Sequence, residues 1–513
     1  MSSQDQSAAS AGVEDRLSYL WLVLALLLFP FGSARWNIPL AAWVYPIFLL
    51  RFVRTQPLRR GLPLVLLAIV LVLEVAWRGF LGPMPEAIAV PLLAAIGALY
   101  TLPYLIDRLV APRLGGLAAT LVFPCAVTTM YYVNAVVSPN GTWGNLAYTQ
   151  YGNLPLLQLL SVTGLWGIVF LMSWLASMVN WAWEQGLDWP EVRGGVALYG
   201  SVLAVVLLLG GARLAVIPPS QGTVRVAGVS PSHSVIAAYN SRLSQGMTNA
   251  LVSGASTPAD REAVHRATAP VFDELLARSA QEASAGAKIV VWPEGSGNVF
   301  LLQEDQATLL ARARALARAS GTYLDLGMAV MPKDPAQFRD EIILIDSAGS
   351  IVWRYQKAHP MMGVERERPG DGKVPTVQTP FGRLSNVICT DADHPDTLRQ
   401  AGSAGADIML VPSTDWREVD PYHTQAITFR AIENGYSLVR QTSSGLAVTV
   451  DYEGRVLGAS DDYATDPQVM VAEVPVRGVR TVYATIGDLF AWLSGAGLTA
   501  LIGVALVQSR KAE

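Results

Sequence analysis

Three residues whose types suit acyl chemistry stand at matching places in the sequence. Glu294 closes the run Ile289-Val-Val-Trp-Pro-Glu294, Lys357 closes Ile351-Val-Trp-Arg-Tyr-Gln-Lys357, and Cys389 closes Asn386-Val-Ile-Cys389. Each follows a short, β-prone apolar run, and the ends of strands in an α/β sheet are where sites gather. Taken singly, the two charges read as solvated loop residues and the cysteine as an inert core residue. Together they supply a nucleophile, a base and a cation. A free thiol, with a pKa near ~8.5, needs help to react as a thiolate. Glu294 can take its proton and later activate a second nucleophile. Lys357 is a fixed donor for the oxyanion of a tetrahedral intermediate. Glu365, eight residues on, can orient Lys357 or handle protons on the incoming group. Two acids and one lysine in a dry pocket leave charge uncompensated, so one carboxyl is expected to titrate unusually high.

The elements around these residues predict a layered α/β sandwich. Thr223–Val229 alternates as a half-buried strand, and Thr257-Pro-Ala-Asp260 carries a helix start running to about residue 285. A helix over 304–319 stops at Gly321. Strands are expected at 288–292, 322–330, 341–346, 350–355, 374–379, 384–388, 408–411, 436–441, 446–451, 455–459 and 469–474, with helices from Pro395 and over 422–434. Strands and helices alternate first and hairpins dominate late. Cys389 falls at a strand-to-helix turn, with Asp391 and Asp393 just after it, a place from which a nucleophile is readily presented.

The whole chain has 513 residues, 51% hydrophobic and 15% charged, too apolar for an ordinary soluble protein and too long for one core. The net charge of −4 gives no pointer to nucleic acid, and two cysteines make no disulfide framework. The apolar excess is concentrated. A bilayer takes ~20 apolar residues per helix, which predicts spans near 17–33, 36–53, 62–80, 87–109, 114–137, 155–183 and 195–217, and an eighth at 485–507. The organisation expected is a tail at 1–16, a membrane domain at 17–217, a soluble block at 218–483, a last helix within 484–508 and a tail at 509–513. Arg51, Arg54, Arg59, Arg60, Arg108 and Arg113 mark cytoplasmic loops, as Arg510 and Lys511 mark the C-terminal tail, whereas 138–154 lacks Lys and Arg. Both termini are then cytoplasmic and the soluble block periplasmic. The first apolar run lacks the basic start of a cleavable signal peptide. Glu74 and Arg78, one helical turn apart, can pair within the membrane or leave Arg78 at the interface. Five histidines without ligand spacing imply no metal, and no cofactor is expected.

Glu294, Lys357 and Cys389, in order and local context, resemble the Glu–Lys–Cys triad of the nitrilase (carbon–nitrogen hydrolase) superfamily. With seven spans before and one after, the chain resembles its membrane-embedded branch, the apolipoprotein N-acyltransferases. The likeness includes Val-Trp-Pro-Glu294, the Lys357–Glu365 spacing, Pro412-Ser-Thr-Asp-Trp416, Arg430-Ala-Ile-Glu-Asn-Gly, Thr442-Ser-Ser-Gly445 and Thr481-Val-Tyr-Ala-Thr-Ile-Gly487. It implies an αββα sandwich inserted between the seventh and eighth helices of a bacterial inner-membrane protein. It also implies transfer of an acyl chain from a phospholipid, through a Cys389 thioester, to the amino terminus of a lipoprotein bearing a lipidated cysteine, by a monomer. Trp416, Thr390 and Asp391 are supporting candidates. Water must be kept from the thioester, and Phe300, Leu301, Met361 and Met362 are the candidate lid, with core packing as the plain alternative. Polar substitutions at Phe300 and Leu301 are expected to impair activity while folding survives. The family usually has an aromatic and a glutamate after the cysteine, where Thr390 and Asp391 stand here. Pro-Met-Met-Gly-Val stands where Val-Pro-Phe-Gly is usual. Altered acyl or acceptor preference follows, including a paralogue with another amine acceptor; a membrane-tethered amidase or nitrilase is the alternative.

Overall fold

The computed structural model describes residues 17–82, 84–216 and 222–512. The tail at 1–16 and the junction at 217–221 lie outside the described residues. Two compact units divide the chain: one holds the helical region to Ala215 and Asp488 onward, the other Pro139–Gly141 with Val216–Gly487.

In the first unit every predicted apolar run is helical, but not always as one helix. Five stretches are long and apolar enough to cross a membrane: Glu86–Leu114, Gly116–Val137, Leu165–Glu184, Trp189–Val216 and Leu489–Lys511. The earlier runs form the helices Ser18–Leu28, Pro39–Thr55 and Leu58–Ala76. The run at 155–183 is corrected: short helices Leu154–Leu157 and Leu160–Thr163 precede Gly164, whose φ of +62° breaks the path, and the long helix begins at Leu165. Of the two readings for Glu74 and Arg78, the pairing with each other is not found. Arg78 bonds Glu86 at 2.6 Å with both side chains exposed, while Glu74 Oε1 is buried with no hydrogen-bond partner among the described residues. Among the described residues of this unit, Arg54 and Asp107 form a buried ion pair, bidentate at 2.8 Å on both arms.

The second unit is an αββα sandwich. One sheet runs, in spatial order, Val469–Pro475, Thr223–Val229, Ile289–Val291, Tyr323–Met331, Arg339–Ile345, Ile351–Gln356, with Phe300–Leu302 beside Tyr323–Met331. The other runs Val456–Asp461, Leu446–Val450, Ser437–Arg440, Ile408–Leu410, Gly382–Asn386, Thr376–Thr379. The central pairs are parallel and the outer ones antiparallel. This is why the central strands read as unbroken apolar runs and the flanks as hairpins. The period of two divides each strand between layers. Ile289 and Val291 meet Leu384, Ile408 and Leu410 between the sheets, while Val290 packs outward on Val271, Leu275 and Ala313 of the helices Pro258–Ser284 and Gln303–Ser320. On the far face, Leu398 and Ile427 of Pro395–Ser403 and Tyr422–Asn434 cover Met409 and Leu438. Thr257 caps the long helix as its capping box predicts.

One polar pair crosses the inter-sheet core. Asn386 Nδ2 donates to Asp325 Oδ2 at 2.7 Å, both residues fully buried, and burial pushes the Asp325 carboxyl up to about 8. A carboxyl protonated in the fold and ionised when unfolded makes stability fall as pH rises from the unfolded pKa toward the folded one, by about 1.4 kcal/mol per pH unit at most. Asp325→Asn should therefore melt higher than wild type, with the difference widening from pH 6 to pH 8. Melting curves at the two pH values read this directly, and equal displacement at both would contradict a buried titration.

Candidate active site

Three strand ends deliver the three predicted residues. Glu294 follows Ile289–Val291 on a tight loop in which Gly295, Ser296, Gly297 and Asn298 all have positive φ. Close approach lets this loop lie on the sheet: a Cβ on the neighbouring Gly327 would stand 2.2 Å from the Pro293 carbonyl oxygen. Lys357 follows Ile351–Gln356 and hangs its backbone N–H on the Asp340 carbonyl at 3.0 Å. Cys389 follows Gly382–Asn386 at φ +43°, opening the single 3-10 turn Cys389–Asp393. Positive φ on a residue with a Cβ is strained, and such turns recur where a nucleophile leaves a sheet. The segment 412–414 ties two of the ends together. Cys389 N–H donates to the Pro412 carbonyl at 3.0 Å and its thiol faces the Thr414 carbonyl at 3.7 Å, while Thr414 Oγ1 donates to the Glu294 carbonyl at 3.1 Å.

Lys357 is fully buried and its Nζ donates to Glu294 Oε1 and to Glu365 Oε1, each at 2.6 Å, with Asp340 Oδ2 at 3.8 Å. Burial opposes the ammonium, but the carboxylates of Glu294 and Glu365 outweigh it and hold Lys357 charged far into alkaline pH. The lysine is thereby a fixed cation in this pocket. Glu365 does two things at once: its second oxygen accepts the Met361 N–H at 2.6 Å, fixing the loop after Lys357. Carboxyls that titrate high are found in this pocket at Asp340 and Glu367. Burial, then Glu294, raises Asp340 well above the carboxylate range, and burial, then Glu365, pushes Glu367 up to about 7. The Cys389 thiol is raised by burial first and by Glu294 second, which favours the protonated sulfur at rest.

Thr390 and Asp391 act on the lysine loop. Thr390 Oγ1 donates to the His359 carbonyl at 2.7 Å; Asp391 Oδ1 accepts the N–H groups of Ala358 and His359 at 3.0 and 2.8 Å. Asp391 Oδ2 takes the Tyr355 hydroxyl at 2.7 Å and the Ile388 N–H at 3.1 Å. Both side chains thus lock the Cys389 turn to the backbone following Lys357. Trp416 closes the next turn, its carbonyl accepting from Val419 and Asp420 at 3.1 and 3.2 Å.

The lid expectation is corrected for Phe300 and Leu301. Leu301, 2% exposed, belongs to the core against the helices, and Phe300 stacks edge-on against Phe338 at 5.9 Å while its N–H is held by the Tyr239 hydroxyl. They lie on a strand paired with Tyr323–Met331, which a five-residue sequence window cannot distinguish from an apolar loop. Leu301→Ala should destabilise by about 2–5 kcal/mol, and an unchanged denaturant midpoint would show that the strand is not core. Met361 is buried, whereas Met362 is 55% exposed; Met362→Gln is expected to leave the midpoint within about 0.5 kcal/mol and to slow turnover of bilayer-borne donor. Equal rates for the variant would remove Met362 from the entrance.

Sequence reasoning passed over Asp340, Glu367, His423 and Arg440. Arg440 carried a signal, a guanidinium inside an otherwise apolar strand run; His423 did not, since its partners come from other elements. Histidines scattered in sequence also gather in space: the rings of His359 and His394 stack at 3.8 Å beside the cysteine turn.

An αββα sandwich with acid, lysine and cysteine at the ends of its strands defines a carbon–nitrogen hydrolase of the nitrilase superfamily. Residues 250–484 match the family model "Carbon-nitrogen hydrolase", and residues 23–178 match "Apolipoprotein N-acyltransferase N-terminal domain". The chain is 26% identical over 419 residues to the apolipoprotein N-acyltransferase of Geobacter metallireducens, covering 76% of this chain and 75% of that one. Its counterpart in Bradyrhizobium diazoefficiens is 26% identical over 410 residues, with 72% and 70% covered. A formamidase of Pseudomonas syringae pv. syringae is 28% identical over 221 residues, 39% of this chain and 63% of its own length. Among solved structures, the amidase from Nesterenkonia sp. superposes with a TM-score of 0.38 at 20% identity, covering 54% of this chain and 97% of that one. With both models matched along one chain, this protein belongs to the apolipoprotein N-acyltransferase family, the membrane-embedded branch of the superfamily.

Proposed function

We propose that the protein is an N-acyltransferase that moves a fatty acyl chain from a phospholipid to the α-amine of a diacylglyceryl-cysteine lipoprotein through a Cys389 thioester. The observation that carries this is Lys357, buried and bonded to both Glu294 and Glu365, with Cys389 on the adjoining strand end. In the first half-reaction Glu294 takes the thiol proton as sulfur attacks the donor ester carbonyl. Lys357 faces the developing oxyanion, and the lysophospholipid alkoxide leaves with the proton from Glu294. In the second, the acceptor amine gives a proton to Glu294, attacks the thioester carbonyl and releases the thiol. Glu365 holds the lysine in place throughout, so it is a positioning residue. The supports for the lipid substrates are the apolar helices of the first unit and the N-acyltransferase relatives.

The membrane arrangement belongs to the same reading: a multi-pass protein of the bacterial inner membrane, eight spans, both termini cytoplasmic, the catalytic domain periplasmic and the chain monomeric. It rests on the arginine-rich loops and the cation-free stretch 138–154. Incubation of the full chain with phospholipid should add an acyl mass to the Cys389 peptide, and a diacylated lipoprotein should then leave with a third chain on its amino terminus. Ammonia release from small amides with no acyl mass on Cys389 would favour the amidase alternative.

A further inference from the structure

A second charged cluster adjoins Cys389 and has no part in the proton transfers above. His423, on the first turn of Tyr422–Asn434, places Nδ1 2.8 Å from Asp415 Oδ1 and Nε2 3.0 Å from Asp393 Oδ2. Arg440 grips Asp415 with two arms at 2.9 and 2.8 Å, lies 3.0 Å from His423 Nδ1 and donates to Thr424 Oγ1. Asp393, Asp415, His423 and Arg440 are all buried. The Cys389 sulfur, an Asp415 oxygen and a His423 ring nitrogen lie within 4.8 Å of one another. A ring with a carboxylate at each nitrogen bonds both only as the doubly protonated imidazolium. In that state two anions and two cations cancel. Without the imidazolium proton these four groups together carry a net negative charge, with an Asp415 oxygen within 4.8 Å of the sulfur, opposing the thiolate that attack requires.

We propose that His423 is a positioning residue for Cys389: an imidazolium clamped between Asp393 and Asp415 that neutralises the charge beside the sulfur and anchors the turn Cys389–Asp393. The groups facing it are Asp393 and Cys389 from that turn, Asp415 from the segment after Ser413–Thr414, and Arg440 from the strand Ser437–Arg440. On its own helix, Arg430 and Glu433 pair with each other. Burial opposes its charge, but Asp393 and Asp415 outweigh burial and raise its pKa from the ordinary histidine value.

The inference rests on Cys389 being the nucleophile, and its test reads the thiol without requiring transfer. Full-length protein in detergent is alkylated with iodoacetamide across pH, and the Cys389 peptide is quantified by mass spectrometry. Cys125, the chain's other cysteine, serves as internal reference. His423→Gln should displace the Cys389 curve upward by about one pH unit, and the isosteric Asp393→Asn, which removes an anion and leaves the imidazolium against Asp415, should displace it downward by less. Should His423→Gln fail to fold, Asp393→Asn decides alone. Unmoved midpoints, even with activity lost, would make His423 a packing residue and overturn the proposal. A wild-type Cys389 that alkylates but never acquires an acyl mass from phospholipid would instead sink the transferase reading, with the alkylation curves still interpretable.

Discussion

Cys389→Ser abolishes acyl transfer: the expected loss is on the order of 10⁴-fold or more, the range seen when a nucleophile that acts as part of a unit is removed. The hydroxyl keeps the shape and the backbone of the turn, so melting should barely move. The loss is chemical, for two reasons. Serine's hydroxyl is far less acidic than a thiol, and Glu294, the proposed proton acceptor, already has one oxygen bonded to Lys357. An oxygen ester, once formed, is also a poorer acyl donor to an amine than a thioester. Glu294→Gln gives the complementary result. The thiol remains, its proton acceptor is gone, and the first half-reaction slows so that acyl mass accumulates on Cys389 slowly or not at all. Transfer retained in Cys389→Ser at more than a hundredth of the wild-type rate would mean that another group carries the acyl chain.

Lys357→Met should lose activity and stability together. The wild-type ammonium sits among Glu294, Glu365 and Asp340 with no access to solvent. Breaking a buried charge set by removing one partner costs about 3–5 kcal/mol, because the remaining charges are left desolvated and unpaired. The sign with pH distinguishes this from simple misfit. Without the cation, which holds them down, the Asp340 and Glu367 carboxyls rise further above their unfolded values. Stability is then fully present at acid pH and is lost as pH climbs through the raised folded values. The deficit relative to wild type should therefore be small at pH 5 and large at pH 8, read as the denaturant midpoint at each. Wild type itself should weaken across neutrality for the same reason, since Asp340 and Glu367 are already raised, Glu367 to about 7. A deficit independent of pH would show that the neighbouring carboxyls do not feel the lysine's charge.

The local patterns in the chain were sufficient for much of this. Period-two alternation and the cap at Thr257 place the strands and the long helix, because burial on one or both faces leaves its mark on every second residue or on every residue of a strand. The placement of Glu294, Lys357 and Cys389 after strands was legible for a related reason: each follows an apolar run, and the end of such a run is a place a short window can locate. Eight apolar runs likewise became helices, although the span near 160 breaks at Gly164, where backbone handedness rather than hydropathy decides.

What required tertiary structure was everything that depends on which strand lies beside which. Leu301 reads as apolar in any window, and only its pairing with Tyr323–Met331 makes it core rather than lid. Glu74 and Arg78 have helix-pair spacing, yet Arg78 finds Glu86 instead. Asp340, Glu367, His423 and Arg440 reach the site from four separate segments, and sequence separation hides such meetings because a buried charge selects its partner by distance in space. The types of atom available for chemistry were written along the chain; which carboxylates share the lysine, and which imidazolium flanks the sulfur, was decided when two sheets closed over one another.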